Sequence, residues 1–309
     1  MNQTKALTEG AIMASVYAIL LLITLFIPIL SLVSMFALSL PFTLYTVRHG
    51  LKKSFLLVGV ALVLTVILGS PTAILMPILF GSVGVVLGVL YNKKKSSFAL
   101  LLGATLTYLL NLILVYIITI LFLEIDFIAQ VQKQIKETIS LTKDIGGFVG
   151  GDVDQGIEQL NQYVEMIPYL IPTALVLSAV VLAFLSIFVS NLVLKRFNVK
   201  VPKWGPFRDW SFPKSVIWYY LATIILMYTS PEQGTTLYIV TINLYKLVGI
   251  ILVLQGLSFI HYYFWVKKQS KAIPVVITIF VFLTPIGFSI VQILGIIDLG
   301  FDLRKRIKA

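Results

Sequence analysis

Charged residues are scarce in this sequence: 12% of its 309 residues are Asp, Glu, Lys or Arg, whereas 59% are hydrophobic. A soluble domain carries about 25% charged residues, so this chain cannot cover a water-exposed surface. Cysteine is absent, which excludes disulfides and thiolate chemistry. His49 and His261 are the two histidines, so we expect neither a conventional zinc site nor any other metal or cofactor.

Sequence signatures of catalysis are missing as well. The chain contains no G-x-x-x-x-G-K-[ST] phosphate-binding loop and no G-x-S-x-G nucleophile turn. An intramembrane protease would need paired aspartates or a Ser–His pair within the membrane, and the apolar runs before Ile297 contain no acidic residue. We therefore predict that the protein is not an enzyme and has no catalytic residues.

Long runs without any charged residue make up most of the sequence. They cover residues 10–47, 54–92, 96–123, 166–194, 215–231, 247–266 and 272–297. A helix needs about 20 apolar residues to cross the hydrocarbon, and it satisfies its own backbone hydrogen bonds there. The sequence thus predicts an all-α, polytopic transmembrane helix bundle of nine or ten helices.

One acidic stretch interrupts this pattern. Residues 124–165 hold eight of the thirteen acidic residues, and apolar residues recur among them at helical spacing. Gly146-Gly147 and Gly150-Gly151 separate two amphipathic patterns, which predicts a helix–hinge–helix insertion outside the membrane. The predicted organisation is helices 1–5 in 1–123, the insertion in 124–165, helix 6 in 166–194, a basic loop in 195–214 and a C-terminal helical half in 215–309.

Lysine and arginine cluster between the predicted helices. This distribution indicates membrane topology rather than nucleic-acid binding as the reason for the net charge of +11. In a bacterial cell membrane, the positive-inside rule places the acidic insertion outside and the basic loops in the cytoplasm. These loops are 48–53, 93–95, 195–214 and 267–271.

The side of the membrane on which the basic tail, Arg304–Lys308, lies depends on the conformation of the chain near Pro285. If Pro285-Ile286-Gly287 is a turn between two short helices, the tail returns to the cytoplasm and the chain has ten crossings. If residues 272–297 form one proline-kinked helix, there are nine crossings and the tail lies outside. We favour the turn, although tail charges alone do not decide orientation.

Small residues recur in the first and fourth predicted helices. The first reads Gly10-x-x-x-Ala14-x-x-x-Ala18 after Thr4-Lys5-Ala6-Leu7-Thr8, and the fourth reads Gly81-x-x-Gly84-x-x-x-Gly88. With prolines closing helix 1 and late in helix 2, residues 4–195 resemble the six-helix substrate-binding (S) component of energy-coupling-factor vitamin transporters. The whole chain, with its ending Leu294-Gly295-x-x-Asp298-x-x-x-Asp302-x-Arg304, resembles the YybS-like family of uncharacterised bacterial multi-pass membrane proteins.

The S-component resemblance implies a substrate-binding protein of the transport type. Such a protein binds a small molecule from outside within helices 1–6, and docks onto a coupling ATPase complex in the membrane. By resemblance, Ala14 and Ala18 form the docking stripe, with Gly10 as an extension. From the residues alone, the same stripe equally permits close packing between helices of this chain. The alternative function is a non-transporting scaffold or regulator that docks envelope or cytoplasmic partners.

Polar residues within the apolar runs are candidates for a ligand site, because their burial in lipid is costly. These are Tyr108, Asn111 and Tyr116 in helix 5, and Asn243, Lys246 and Gln255 in helix 8. The alternative roles are helix–helix hydrogen bonds and, for Lys246, snorkelling to the membrane surface. Near the end of the chain, Asp298, Asp302 and Arg304 form a charged group that is either a structural clasp or a partner contact.

Overall fold

The computed structural model describes residues 3–122, 126–149, 154–229 and 232–307. These residues form fourteen α-helices with short turns, and they contain no β-strand. In chain order the helices are α1 (Gln3–Phe26), α2 (Pro28–Ala37), α3 (Leu40–His49), α4 (Leu51–Leu68), α5 (Ser82–Asn92), α6 (Ser97–Phe122), α7 (Phe127–Val149), α8 (Asp154–Met166), α9 (Ile171–Arg196), α10 (Ser215–Thr229), α11 (Thr236–Val266), α12 (Ala272–Leu283), α13 (Pro285–Phe301) and α14 (Leu303–Arg306).

Seven helical segments in the described part of the chain are long and apolar enough to cross a membrane. They are α1, α2 with α3, α4, residues 72–92, α6, residues 156–196 and α11. The bent pair of α12 and α13 passes the same test as an eighth segment, and α10 is a shorter apolar helix. The prediction of an all-α polytopic bundle is therefore confirmed, but the described residues form seven or eight candidate spans rather than the nine or ten expected, because α10 is short and α12 and α13 together count as one.

The chain divides into two compact units. Unit 1 comprises Met1–Gln130 and Ala174–Lys203, and unit 2 comprises Val131–Thr173 and Trp204–Ala309. Most of the acidic insertion thus groups with the C-terminal half. Gly146 and Gly147 lie within α7, which continues to Val149, whereas the predicted break at Gly150-Gly151 falls outside the described residues.

Unit 1 is packed around α3 and α5. A Cβ on Gly84 would lie 2.3 Å from the carbonyl oxygen of Ser39, and one on Gly88 would lie 2.4 Å from the Cβ of Thr46. No larger residue fits at that separation, so this small-residue stripe packs inside the protein. Large side chains fill the interior beside it, and those fully buried include Tyr17, Phe42, Phe80 and Tyr108.

Unit 2 is built on a close crossing of α11 and α13. A Cβ on Gly256 would lie 2.1 Å from the carbonyl oxygen of Val291, and one on Gly295 would lie 2.0 Å from that of Leu252. The backbones of the two helices therefore touch, which is the arrangement that small residues permit in membrane bundles.

The predicted turn near Pro285 is present. The helix axis bends by 118° between α12 and α13, where the Thr284 hydroxyl accepts a hydrogen bond from the Gly287 amide at 3.2 Å and Pro285 begins α13. A single kinked helix would not turn this far. The 12 residues of α12 span about 18 Å, short of the roughly 30 Å hydrocarbon layer, so the pair forms a hairpin rather than two full crossings.

The tail lies at the same end of unit 2 as the basic loop before α10. Lys214 Nζ is 2.8 Å from Asp302 Oδ2, and an Arg304 guanidinium nitrogen donates to the carbonyl oxygen of Arg208 at 2.9 Å. Lys308 lies outside the described residues. This position of residues 303–307 agrees with a hairpin that returns to the end at which it began.

Candidate functional site

Unit 1 contains a cavity of about 440 Å³ that is lined by Lys5, Glu9, Arg48 and His49. Lys5 and Glu9 are one turn apart on α1, so they share a helix face. Arg48 and His49 are the last two residues of α3, which ends because Gly50 takes a positive φ of 80°. The start of α1 and the end of α3 therefore bring four ionisable side chains around one space.

Glu9 fixes two of these side chains. One of its carboxylate oxygens, Oε2, is 2.9 Å from His49 Nε2 and accepts a hydrogen bond from the Arg48 guanidinium at 3.3 Å. Because a carboxylate can only accept, this contact requires His49 to carry its proton on Nε2. The His49 side chain is 2% exposed, so its orientation is set by Glu9 and by packing.

Tyr45 forms part of the wall behind His49. Its ring centroid is 4.7 Å from that of His49, and its hydroxyl donates to the carbonyl oxygen of Ala6 at 3.2 Å. A Cβ on Gly10 would lie 3.3 Å from the Tyr45 hydroxyl oxygen. The absence of a side chain at Gly10 thus lets Tyr45 lie along α1.

These contacts bear on the predicted docking stripe. Gly10 faces Tyr45, and Ala14 is 7% exposed inside unit 1, while Ala18 is half-buried. Ala14 packs against its own unit, which is the close packing within this chain that the same stripe permits, and docking through Ala14 stays a prediction. Docking through Ala18 stays a prediction.

The polar candidates of α6 bind neighbouring helices. The Asn111 amide donates to Ser82 Oγ at 2.7 Å and approaches the Leu79 carbonyl oxygen at 3.4 Å. Residues Pro77–Gly81 form a single π-helical turn, and such turns leave backbone groups to be satisfied by side chains. Tyr108 is fully buried and is hydrogen-bonded to Ser186 at 2.7 Å. Tyr116 is half-buried farther along α6.

In unit 2, Asn243 and Lys246 point to different surroundings. The Asn243 amide nitrogen donates to the Tyr169 carbonyl oxygen at 2.7 Å, and its oxygen accepts from the Thr173 amide at 2.8 Å. Lys246 is exposed and lies with its Nζ 5.9 Å from the Tyr245 ring centroid. Asn243 therefore ties helices together, whereas the exposed Lys246 makes no such tie, and its snorkelling stays a prediction.

Gln255, Asp298 and Arg304 form a buried polar network, which we call the clasp. Asp298 Oδ2 accepts hydrogen bonds from Gln255 Nε2 at 2.5 Å and from Arg304 Nε at 3.1 Å. The Gln255 side-chain oxygen accepts from the backbone amide of Phe212 at 2.9 Å. The clasp thus joins α11, α13 and the loop before α10.

Arg304 extends the clasp to the rest of this loop. Besides the Arg208 carbonyl oxygen, it donates to Ser258 Oγ at 3.1 Å. Ser258 Oγ in turn lies 2.8 Å and 2.7 Å from the carbonyl oxygens of Phe207 and Trp210. The clasp thereby engages backbone carbonyl groups of the 205–212 loop.

Asp302 does not belong to the buried network. It takes a left-handed conformation with φ 50° that ends α13, so it does not continue the helical face that carries Asp298. Its carboxylate is exposed and contacts Lys214 at 2.8 Å and Lys305 at 3.3 Å. Hydrogen bonds from Lys214 and then Lys305 hold the pKa of the Asp302 carboxyl below its usual value.

The sequence did not single out the four residues that line the cavity. Each of them is an ionisable residue near a helix end, which is common in membrane proteins. The one available signal was Glu9, a single acidic residue at the start of a long apolar helix. Ser258 and the carbonyl groups of the 205–212 loop also carried no pattern. In the described part of the chain, no group of three or more His, Cys, Asp or Glu is placed to hold a metal ion.

Together these features define a multi-pass α-helical integral membrane protein. Residues 15–299 match the family described as "Predicted membrane protein (DUF2232)", and the chain belongs to that family. It is 33% identical, over the full length of both chains, to a Bacillus subtilis (strain 168) protein described as "Uncharacterized protein YybS". No solved structure matches the chain. The resemblance to YybS-like proteins is confirmed, whereas the resemblance to S-components stays a prediction.

Proposed function

We propose that the protein is a membrane protein of the transport type that binds a small molecule in the cavity of unit 1. The observation that carries this proposal is the cavity itself. Its volume of about 440 Å³ lies within the range of roughly 300–1,000 Å³ typical of small-molecule sites. Four ionisable side chains converge on it, and such convergence is more typical of a binding site than of a packing void.

The arrangement is also preorganised. Glu9 holds Arg48 and His49 through one oxygen, and the Arg48 guanidinium lies 5.0 Å from the ring centroid of Phe197. A ligand entering the cavity would therefore meet polar groups whose orientation is already fixed, which lowers the entropic cost of binding. The cavity lies at the basic end of unit 1, so in this proposal it opens toward the cytoplasm.

The sidedness of this proposal has a direct test, since the chain has no cysteine. Single cysteines at exposed Lys52 and at exposed Lys133 can be labelled with an impermeant maleimide in intact cells and in inverted vesicles. We expect Lys52→Cys to react only in inverted vesicles and Lys133→Cys only in intact cells. Labelling of Lys52→Cys from outside would reject a cytoplasmic cavity.

Ligand binding is tested by native mass spectrometry of protein purified from its membrane. We expect a small-molecule adduct on the wild type, weakened in Arg48→Gln and retained in Lys52→Gln, an exposed lysine outside the cavity. Reconstituted vesicles then show whether the identified molecule is taken up. A wild type without any adduct, whose thermal stability no extract of small molecules changes, would refute the proposal.

A scaffold or regulator is the second candidate. It is favoured by the use of Asn111, Asn243 and Gln255 as helix ties, and by the clasp, which orders a loop that presents basic and aromatic residues. Affinity purification from membranes separates the two functions. A scaffold would retain a protein partner that Arg304→Ala releases, and a coupled transporter would retain an ATPase complex that Ala18→Trp releases.

A further inference from the structure

The charges around the unit 1 cavity do not cancel. Among the described residues that line the cavity, Lys5 and Arg48 are basic, and Glu9 is the one carboxylate. Glu9 is already engaged with Arg48 and His49, and Lys5 has no acidic partner among the residues that the structure describes. These described lining residues sum to a net charge of +1 with His49 counted as neutral, which favours an anionic occupant.

The Arg48 side chain is held in a way that leaves guanidinium donors free for an anion with several oxygens. One guanidinium nitrogen is bound to Glu9, and the face of the group lies over the Phe197 ring. Guanidinium groups pair with phosphate through parallel N–H donors, and lysine contributes a mobile point charge to the same group. His49 contacts Glu9 and Tyr45, so it acts as a positioning residue.

From these observations we infer that the cavity binds a phosphate group, with the Lys5 ammonium and the Arg48 guanidinium as its direct contacts. The inference rests on the proposed function and adds the chemical class of the ligand. The single positive charge of the lining matches one phosphodiester charge. The volume exceeds that of a bare ion, so the phosphate is part of a larger molecule: either a phospholipid head group or a soluble phosphorylated compound.

The test uses the full-length protein purified in phosphate-free maltoside detergent. Two probes carry the same phosphodiester group from different sources: glycerophosphoglycerol in solution, and monomeric dihexanoyl-phosphatidylglycerol as a lipid. Binding is measured by native mass spectrometry and by the shift in thermal midpoint. Because a hydrogen bond to a charged group contributes about 1.5–3 kcal/mol, Lys5→Gln and Arg48→Gln should each weaken binding at least tenfold.

Two further variants test whether weaker binding comes from the cavity residues themselves. Lys52→Gln removes an exposed lysine outside the cavity, and we expect it to change affinity less than twofold. Arg48→Lys keeps the charge but loses the planar fork, so its affinity should lie between wild type and Arg48→Gln. Each variant is first compared with the wild type without ligand, and an unchanged thermal midpoint shows that the fold is retained.

The outcomes separate the sources and the two proposals. Binding of only the lipid probe identifies a head-group site, binding of only glycerophosphoglycerol identifies a soluble ligand, and binding of both identifies the phosphodiester group alone as sufficient. Binding of neither probe, or binding that Lys5→Gln and Arg48→Gln leave unchanged, overturns the phosphate inference. If the wild type then still carries a phosphorus-free adduct that Arg48→Gln loses, the proposed function stands without it; if it carries no adduct, both fall.

Discussion

Replacing Arg304 by alanine should be among the most destabilising substitutions in unit 2. The change removes the ion pair with Asp298 and the hydrogen bonds to Ser258 and the Arg208 carbonyl. It leaves the Asp298 carboxylate buried, with Gln255 as its remaining donor. Breaking a buried ion pair from one side typically costs about 3–5 kcal/mol, because the partner charge stays behind without compensation.

A double-mutant cycle shows whether the stranded charge is the cause. Asp298→Asn removes the charge but keeps an oxygen that accepts from Gln255 Nε2. In that background Arg304→Ala no longer leaves an uncompensated carboxylate. We therefore expect the double variant to lose less stability than the sum of the single variants, with a coupling energy of about 1.5–3 kcal/mol.

Equilibrium unfolding by SDS in mixed micelles, followed by tryptophan fluorescence, measures these differences. Trp210 lies in the loop that the clasp holds, and Arg208 lies 4.3 Å from the ring centroid of Trp265, so both indoles report on this region. An Arg304→Ala variant as stable as the wild type, or strictly additive single and double variants, would show that the clasp does not work as argued.

Lys214→Ala is the matched control, because it removes an ion pair at the same end of unit 2 that is exposed to water. Exposed pairs contribute little to stability. The pKa of Asp302 is lowered in the folded state by Lys214 and Lys305, so the contribution of this pair is present at neutral pH. It should disappear as the pH falls through that lowered pKa, and the acid unfolding curves of Lys214→Ala and wild type should then converge.

Three further predictions use matched positions. Gly256→Ala should force α11 and α13 apart and cost about 1–3 kcal/mol in the SDS titration. Gly59→Ala lies within α4 and meets nothing within 4 Å, so it should leave stability unchanged or raise it by up to about 1 kcal/mol; equal losses would contradict the close crossing. Asn243→Ala should cost about 0.6–1.7 kcal/mol, the range for hydrogen bonds between membrane helices. Lys246→Ala should leave stability unchanged, because its side chain is exposed, and a loss comparable to that of Asn243→Ala would place Lys246 in a buried contact instead.

The sequence was sufficient for those features that depend on local pattern. Runs of uncharged residues predicted the helices, and Pro285 with Gly287 predicted the turn between α12 and α13. The pairing of Gln255 with Asp298 was not predictable, because the two residues are 43 positions apart and nothing in either helix specifies the register of their crossing. That register is set by Gly256 and Gly295, whose backbones touch the opposite helix.

The cavity escaped prediction for a different physical reason. Lys5, Glu9, Arg48 and His49 are typical of membrane-helix ends, where charges stay in water, so their residue types carry no special signal. What makes them a candidate site is the proximity of α1 and α3, which depends on Tyr45 lying along α1 beside Gly10. Contacts of this kind follow from packing in three dimensions, and a spacing along the chain does not encode them.

The clasp and the cavity use the same chemistry with different access to water. In each, one carboxylate oxygen accepts hydrogen bonds from two side chains: Asp298 from Gln255 and Arg304, and Glu9 from Arg48 and His49. The Asp298 and Arg304 side chains are 2% and 18% exposed, whereas those of Glu9 and Arg48 are 19% and 37% exposed.

This difference in access assigns the two groups different roles. A closed network has no room for an incoming ligand, so the clasp contributes order to unit 2. In the open cavity network, some N–H donors of the guanidinium and ammonium groups are not used by an ion pair and contact water. A ligand can displace this water and take its hydrogen bonds. Asn111, Asn243 and Gln255 are already bound to neighbouring groups, so the proposed recognition of a polar ligand rests on the helix ends, where the unit 1 cavity lies.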